Sequence, residues 1–176
     1  MDQAYKISVF GDVGVGKTSL IHRFLTEKFD INIGSTMGVD IYTKSVIIKG
    51  ITINLQIWDF VGEIKFRSLL SSYARGSFGG IFMYDITNLS SINNIDIWLD
   101  GFKEKLPEWR GKIPIIVVGG KSDLSDKRVV KIEDAVKISK NQIIYNYMEC
   151  SSKTGENVEE LFYDLTLEIM KNVKII

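Results

Sequence analysis

The sequence predicts a doubly wound α/β fold: a mostly parallel six-stranded sheet with one antiparallel edge strand and helices on both faces. Three observations carry this reading. Strand and helix patterns alternate along the chain without repeats or low-complexity tracts. Residues 80–84 and 113–118 are continuous apolar runs, as in strands covered on both faces. A glycine loop joins the first strand pattern directly to the first helix pattern.

Taken in order, Ile7-Ser8-Val9-Phe10 reads as a strand. Gly11-Asp12-Val13-Gly14-Val15-Gly16-Lys17-Thr18 follows, and then Leu20, Ile21, Phe24 and Leu25 fall on one face of a 3.6-residue repeat. Residues 28–38 are polar, contain Gly34 and Gly38, and read as a mobile loop. Two strand patterns follow, the second of which, 51–57, alternates strictly. Lys49-Gly50 between them reads as a hairpin turn, so this pair is antiparallel. Residues 143–148 form a weaker candidate for the last strand. Helical periodicity appears in Ile92, Ile95, Trp98, Leu99, Phe102 and Leu106, and again in Val158, Leu161, Phe162, Leu165 and Ile169. These stripes read as core faces. Ligands of such a sheet lie beyond the carboxyl ends of its strands.

At 176 residues the chain suits one domain, 1–176, with a substantial core. Lysine and arginine total 22 and aspartate and glutamate 22, so no basic excess supports nucleic-acid binding. The one cysteine, Cys150, has no disulfide partner and reads as a small core residue, which suits a reducing compartment. His22 reads as an exposed helix residue, since no second histidine could share a metal with it. Asp2, Gln3 and Lys6 interrupt the start, and no apolar run nears the roughly 20 residues of a membrane span. The last residues hold no cysteine for prenylation. A cytoplasmic protein without a direct lipid anchor is expected.

Residues 11–18 have the composition of a phosphate cradle. Glycines let several main-chain N–H groups point inward, and the new helix adds its positive end. Lys17 can reach the terminal phosphates, while Thr18 offers a hydroxyl to Mg²⁺. Four further segments are placed to join it. Asp59, at the end of the alternating strand, can hold the Mg²⁺ shell through water, and the Gly62 N–H can meet the terminal phosphate. Thr36 can supply a second hydroxyl to the metal. In Gly120-Lys121-Ser122-Asp123, Asp123 can accept from the N1–H and amine of guanine, a donor pair that adenine lacks, with the Lys121 stem covering the base. In Cys150-Ser151-Ser152-Lys153, a backbone N–H can donate to the guanine O6. Singly, each segment also reads as an ordinary turn.

Over essentially its whole length the chain resembles the Ras superfamily of small GTPases, and within it the Rab branch. Met37-Gly38-Val39-Asp40-Ile41, Asn54-Leu55-Gln56-Ile57-Trp58, Lys65-Phe66-Arg67-Ser68-Leu69-Leu70 and Tyr73-Ala74-Arg75-Gly76-Ser77 carry the resemblance. So do Met83-Tyr84-Asp85-Ile86-Thr87 and the run from Ser151 to Phe162. The resemblance implies a GTP/GDP switch that uses Mg²⁺ and has two mobile segments, about 30–41 and 60–76. It implies nucleotide contacts from Val13, Gly14, Val15, Gly16, Lys17, Thr18, Ser19, Lys121, Asp123, Ser151, Ser152 and Lys153. Phe29 would pack against the base, and Thr36 and Gly62 would sense the γ-phosphate. Hydrolysis would draw on Lys17, Thr36, Gly62 and Glu63, and Mg²⁺ on Thr18, Thr36 and Asp59. Effectors, exchange factors and activating proteins would meet the two segments, with Trp58, Tyr73 and Ile41 as the apolar patch. A monomer recruited to membranes only by partners or a further tail is expected.

Three departures bear on activity. Glu63 stands where the family places a water-orienting glutamine. An ionised carboxylate accepts but does not donate. Unit charges about 4 Å apart repel by roughly 4 kcal/mol at an effective dielectric near 20, so Glu63 should turn from the γ-phosphate or take a proton. Val13 adds bulk where an arginine finger enters, although Rab-like proteins tolerate larger residues there. Gly120 replaces the asparagine that ties the base loop to the phosphate loop and reaches the purine N7. Its loss is expected to weaken nucleotide retention by about 1–3 kcal/mol. Phe60 and Val61 are also bulkier than the usual Thr-Ala. The leading expectation is slow GTP hydrolysis by a switch. A guanine-nucleotide-binding scaffold without turnover is the alternative, and an ATPase or small-molecule kinase lacks support because Asp123 selects guanine.

Overall fold

The computed structural model describes residues 4–106, 113–140 and 144–176. Six strands form one sheet in the order β2-β3-β1-β4-β5-β6. They are β1 (Ala4–Phe10), β2 (Val39–Ile48), β3 (Ile51–Phe60), β4 (Gly79–Asp85), β5 (Ile115–Gly120) and β6 (Asn146–Glu149). β2 pairs antiparallel with β3, and every other pair is parallel. The β2–β3 register closes at Ile48↔Ile51 around Lys49 and Gly50, both at positive φ (51° and 77°). This two-residue turn matches the twist of the strands it joins.

The helices are α1 (Lys17–Thr26), α2 (Arg67–Tyr73), α3 (Leu89–Asn93), α4 (Ile95–Lys103), α5 (Ile132–Lys140) and α6 (Val158–Asn172). Each face of the sheet carries its own apolar core. On one, Leu20, Ile21 and Phe24 of α1 meet Phe162 and Leu165 of α6, with Phe24 and Phe162 stacked at 3.9 Å between centroids. On the other, Trp98, Leu99 and Phe102 of α4 pack with Leu70, Phe10, Phe82 and Ala135. β4 is buried at every residue, as its unbroken apolar run predicts.

Several boundaries differ from those expected. The periodic stretch 92–106 is two helices meeting at Asn94, with Leu106 beyond the second. The strand expected at 113–118 begins at Ile115 and continues through Gly119 and Gly120, because pairing with β4 persists to Asp85↔Gly120. The last strand starts at Asn146, and the expected residue 143 lies outside the described residues. Residues 60–76, read as a mobile segment, contain a 3₁₀ turn at Ile64–Phe66 and then α2. Both α5 and α2 bury little: α5 buries only Ala135 and Ser139, and α2 only Leu70 and Ser71. No helix among the described residues is long and apolar enough to cross a membrane.

Cys150 is fully buried, and burial pushes its thiol up to about 12, in keeping with a core residue. His22 sits part-exposed on α1 beside Thr26.

Candidate functional site

The carboxyl ends of β1, β3, β4, β5 and β6 carry two adjoining cavities. The larger, about 870 Å³, is lined by Val13, Gly14, Gly16–Ser19, residues 33–38, Val61, Gly62, Glu63, Lys65, Phe66 and Lys121. The smaller, about 290 Å³, is lined by Val15, Gly16, Ser19, Phe29, Ile31, Met83, Lys121, Asp123, Leu124, Ser152 and Lys153. Gly16, Ser19 and Lys121 border both. Most of the expected nucleotide-site residues therefore line these two cavities, with Asp59 and Ser151 as the exceptions.

The loop between β1 and α1 wraps around its own lysine. Lys17 Nζ donates to the carbonyls of Gly11 (2.9 Å) and Asp12 (2.8 Å) and is 6% exposed. Burial lowers its pKa to about 8, opposed by the Asp59 and Asp12 charges. An ammonium held this way in a water-poor cradle is poised for an anion. Gly11, Gly14 and Gly16 sit at φ of 139°, 75° and 105°, and a Cβ on Gly11 would overlap the Met83 carbonyl. Only glycine suits that position.

The residues expected to hold the metal converge. Thr18 Oγ1 donates to Asp59 Oδ2 at 2.5 Å, Thr36 Oγ1 donates to the same oxygen at 3.0 Å, and the two hydroxyls are 2.8 Å apart. Asp59 is fully buried and its other oxygen, Oδ1, has no hydrogen-bond partner. Burial raises the Asp59 pKa, countered by the Thr18 hydrogen bond, the Lys17 charge and the Thr36 hydrogen bond. A buried carboxylate oxygen without a partner is costly, and a hydrated divalent cation is the group that relieves it. The donor set, two hydroxyls and one carboxylate, is all oxygen and fits Mg²⁺.

Gly62 presses onto the phosphate loop. A Cβ there would overlap the Val13 nitrogen and lie 2.5 Å from Asp12 C. Val61 N donates to Gly38 O at 2.9 Å, which links the segment after β3 to the one before β2. The bulk of Phe60 and Val61 turns inward, at 1% and 6% exposure. Val13 is 58% exposed at the mouth of the larger cavity. Glu63 lines that cavity, yet its carboxylate pairs with Lys65 at 2.6 Å and both side chains are well exposed.

At the smaller cavity, Lys121 adopts a left-handed φ of 65° and pairs with Asp85 at 2.6 Å. Burial would raise Asp85, but hydrogen bonds from Lys121 and Thr87 outweigh it and hold the carboxyl low. Ser151 Oγ donates to Asp123 Oδ1 at 2.6 Å, and Thr154 N donates to Ser151 Oγ. Ser151 is fully buried, and its own N–H is committed to Glu156 O. It stands behind Asp123 and does not line the cavity, unlike the nucleotide contact expected of it. Ser152 and Lys153 do line the cavity.

The sequence reading missed four contributors. Asn94 and Trp98 grip the Asp12 carboxylate, at 2.8 and 2.7 Å. Met83 reaches from β4 into the base-side cavity. Lys6 places its ammonium 3.6 Å from the Trp58 ring centroid while donating to the carbonyls of Tyr73 and Arg75. The last gathers the expected apolar patch: Ile41 pairs across the ladder with Trp58, and the Trp58 and Tyr73 rings lie 6.0 Å apart. Trp98 read only as core, and nothing local marked Met83 or Lys6.

A phosphate cradle at the end of β1, a cation-ready carboxylate at β3 and a base pocket beyond β5 and β6 define a nucleotide switch of the small-GTPase class. The Ras family model matches residues 6–171, and the chain belongs to that family. It is 38% identical over 169 residues to Ras-related protein Rab-10 of Caenorhabditis elegans, covering 96% of this chain and 82% of that protein. The chain is thus a Rab-like small GTPase, which binds GTP and GDP with Mg²⁺ and hydrolyses GTP. Members of the family act with effectors, exchange factors and activating proteins.

Proposed function

We infer that residues 1–176 form one guanine-nucleotide switch domain that hydrolyses GTP slowly and signals, in membrane traffic, through the surface around Trp58. The observation that carries this reading is the meeting of the Thr18 and Thr36 hydroxyls on the buried Asp59 carboxylate. Thr36 lies in the loop before β2 and Thr18 at the start of α1, so their shared acceptor couples the loop's position to the phosphate site.

In this reading the phosphates lie over Val13–Ser19, where the main-chain cradle and Lys17 neutralise their charge. When bound, Mg²⁺ would supply neutralisation of the phosphate charge. Thr18, Thr36 and, through water, Asp59 are the residues that would hold it. The Gly62 N–H meets the γ-phosphate, and its loss on hydrolysis frees residues 60–76 together with the linked segment 30–41. Phe29 covers one face of the base, Lys121 the other, and Asp123, aimed by Ser151, takes the guanine N1–H and amine.

Glu63 sets the slow rate. Its carboxylate is held by Lys65, which reduces repulsion from the γ-phosphate but leaves no side-chain donor to orient the attacking water. Effectors, exchange factors and activating proteins bind a monomer at residues 30–41 and 60–76, with Ile41, Trp58 and Tyr73 as the apolar contact. Membrane association, in this reading, comes through those partners or through a further tail.

Single-turnover hydrolysis of GTP by the wild-type protein and by Lys17→Ala tests the assignment. Turnover in the first and none above background in the second is expected. Equal rates would remove these residues from the chemistry.

A further inference from the structure

The base-side cavity runs along the ends of neighbouring strands. Asp123 follows β5, Ser152 and Lys153 follow β6, and Val15 and Gly16 follow β1. The strand order sets β4 between β1 and β5, and the residue of β4 on this wall is Met83. A guanine whose N1–H and amine meet Asp123 turns its six-membered ring toward β5. Its five-membered ring carries N7 and, at N9, the sugar that leads to the phosphates over β1. That ring therefore lies over β4.

The wall there is apolar. Val15, Gly16 and Met83 bring no side-chain N–H or O–H. Met83 is 1% exposed, and its terminal methyl sits 3.4 Å from where a Cβ on Gly16 would lie. The same methyl would overlap a Cβ on Gly120, which would also come 3.1 Å from the Val15 carbonyl. While Met83 keeps this place, no side chain can enter from position 120. The thioether fills the junction between the phosphate loop and the base loop, where a polar group would be needed to reach N7.

We propose that Met83 and Gly120 together make the base site indifferent to N7, so that this protein takes guanine nucleotides with carbon in place of N7 as readily as ordinary ones. The inference rests on the assignment of Asp123 to the guanine edge. Titration of nucleotide-free protein in Mg²⁺ with GDP, 7-deaza-GDP and ADP tests both. The 7-deaza nucleotide is expected to bind within about threefold of GDP, less than a typical hydrogen bond contributes. Weaker binding than that overturns the inference.

Met83→Gln keeps the length of the side chain and places an amide donor where the methyl stood. It is expected to open a preference for GDP over 7-deaza-GDP of more than about threefold. An unchanged ratio in a folded variant would show that this wall does not face N7 and would overturn the assignment. Should the variant not fold, the wild-type comparison decides alone. ADP separates the two readings. Binding of ADP as tight as GDP overturns the Asp123 assignment itself, whereas a strong GDP preference with weakened 7-deaza-GDP overturns only the role of Met83 and Gly120.

Discussion

Trp98 Nε1 donates a 2.7 Å hydrogen bond to the carboxylate of Asp12, 86 residues earlier in the chain. Asn94 takes the other oxygen at 2.8 Å, and the Asp12 carbonyl accepts from Lys17. The junction of α3 and α4 thereby holds the phosphate loop at Asp12, whose carboxylate is matched by two donors. The split of the expected long helix at Asn94 is part of this arrangement, because that break frees Asn94 to face the loop.

Trp98→Phe should keep most of the core packing while removing the N–H. A lost hydrogen bond to a charged acceptor costs about 1.5–3 kcal/mol, and the unfilled volume adds to it. Denaturant unfolding in Mg²⁺ and GDP measures that loss. GDP dissociation should also accelerate, since Lys17 shares the Asp12 peptide. A destabilised variant with unchanged dissociation would show that the helix junction supports the core but not the nucleotide.

Asp59→Asn removes a buried charge with one unpartnered oxygen, so the nucleotide-free protein should melt higher than wild type. Its dependence on Mg²⁺ should weaken in the opposite sense. Loss of a group acting through the metal's outer shell reduces affinity by about 10- to 100-fold. Titration of Mg²⁺ against the GDP dissociation rate checks this, and an unaltered Mg²⁺ midpoint would exclude Asp59 from the metal shell.

Glu63→Gln restores a side chain that both accepts from water and donates toward phosphate. Single-turnover GTP hydrolysis should rise by about tenfold or more, because the amide supplies the donor that the Lys65-paired carboxylate lacks. The Glu63–Lys65 ion pair is exposed, so stability should change by less than about 1 kcal/mol. A fall in rate would mean that the carboxylate serves as the better base.

Lys6 lies against the Trp58 ring, and burial lowers its pKa to about 8 from 10.5. Below about 8 the folded and unfolded chains both hold the proton; between about 8 and 10.5 only the unfolded chain does. Wild-type stability should therefore rise with pH across that window relative to Lys6→Met. Loss of the ammonium beside the Trp58 ring should change Trp58 fluorescence with a midpoint near 8. A wild-type fluorescence titration identical to that of Lys6→Met would remove the coupling.

Local sequence determined the strand–loop–helix at residues 4–26, the β2–β3 hairpin and the apolar strands. Each depends on contacts within a few residues: glycine φ values, alternation, or a continuous apolar run. Most cleft residues were legible for the same reason, since they lie at strand ends marked by their own short patterns, whereas Phe29 and Thr36 lie in the loop between α1 and β2. Tertiary structure alone decided what those residues touch. Met83 reads as one more apolar residue of a buried strand, Trp98 as a core aromatic and Ser151 as a nucleotide contact rather than a support for Asp123. Their roles arise only when the parallel order β1-β4-β5-β6 sets the strand ends side by side. Parallel pairing joins segments far apart in the chain, so the partners of Asp12, Gly120 and Asp123 carry no signal in neighbouring residues.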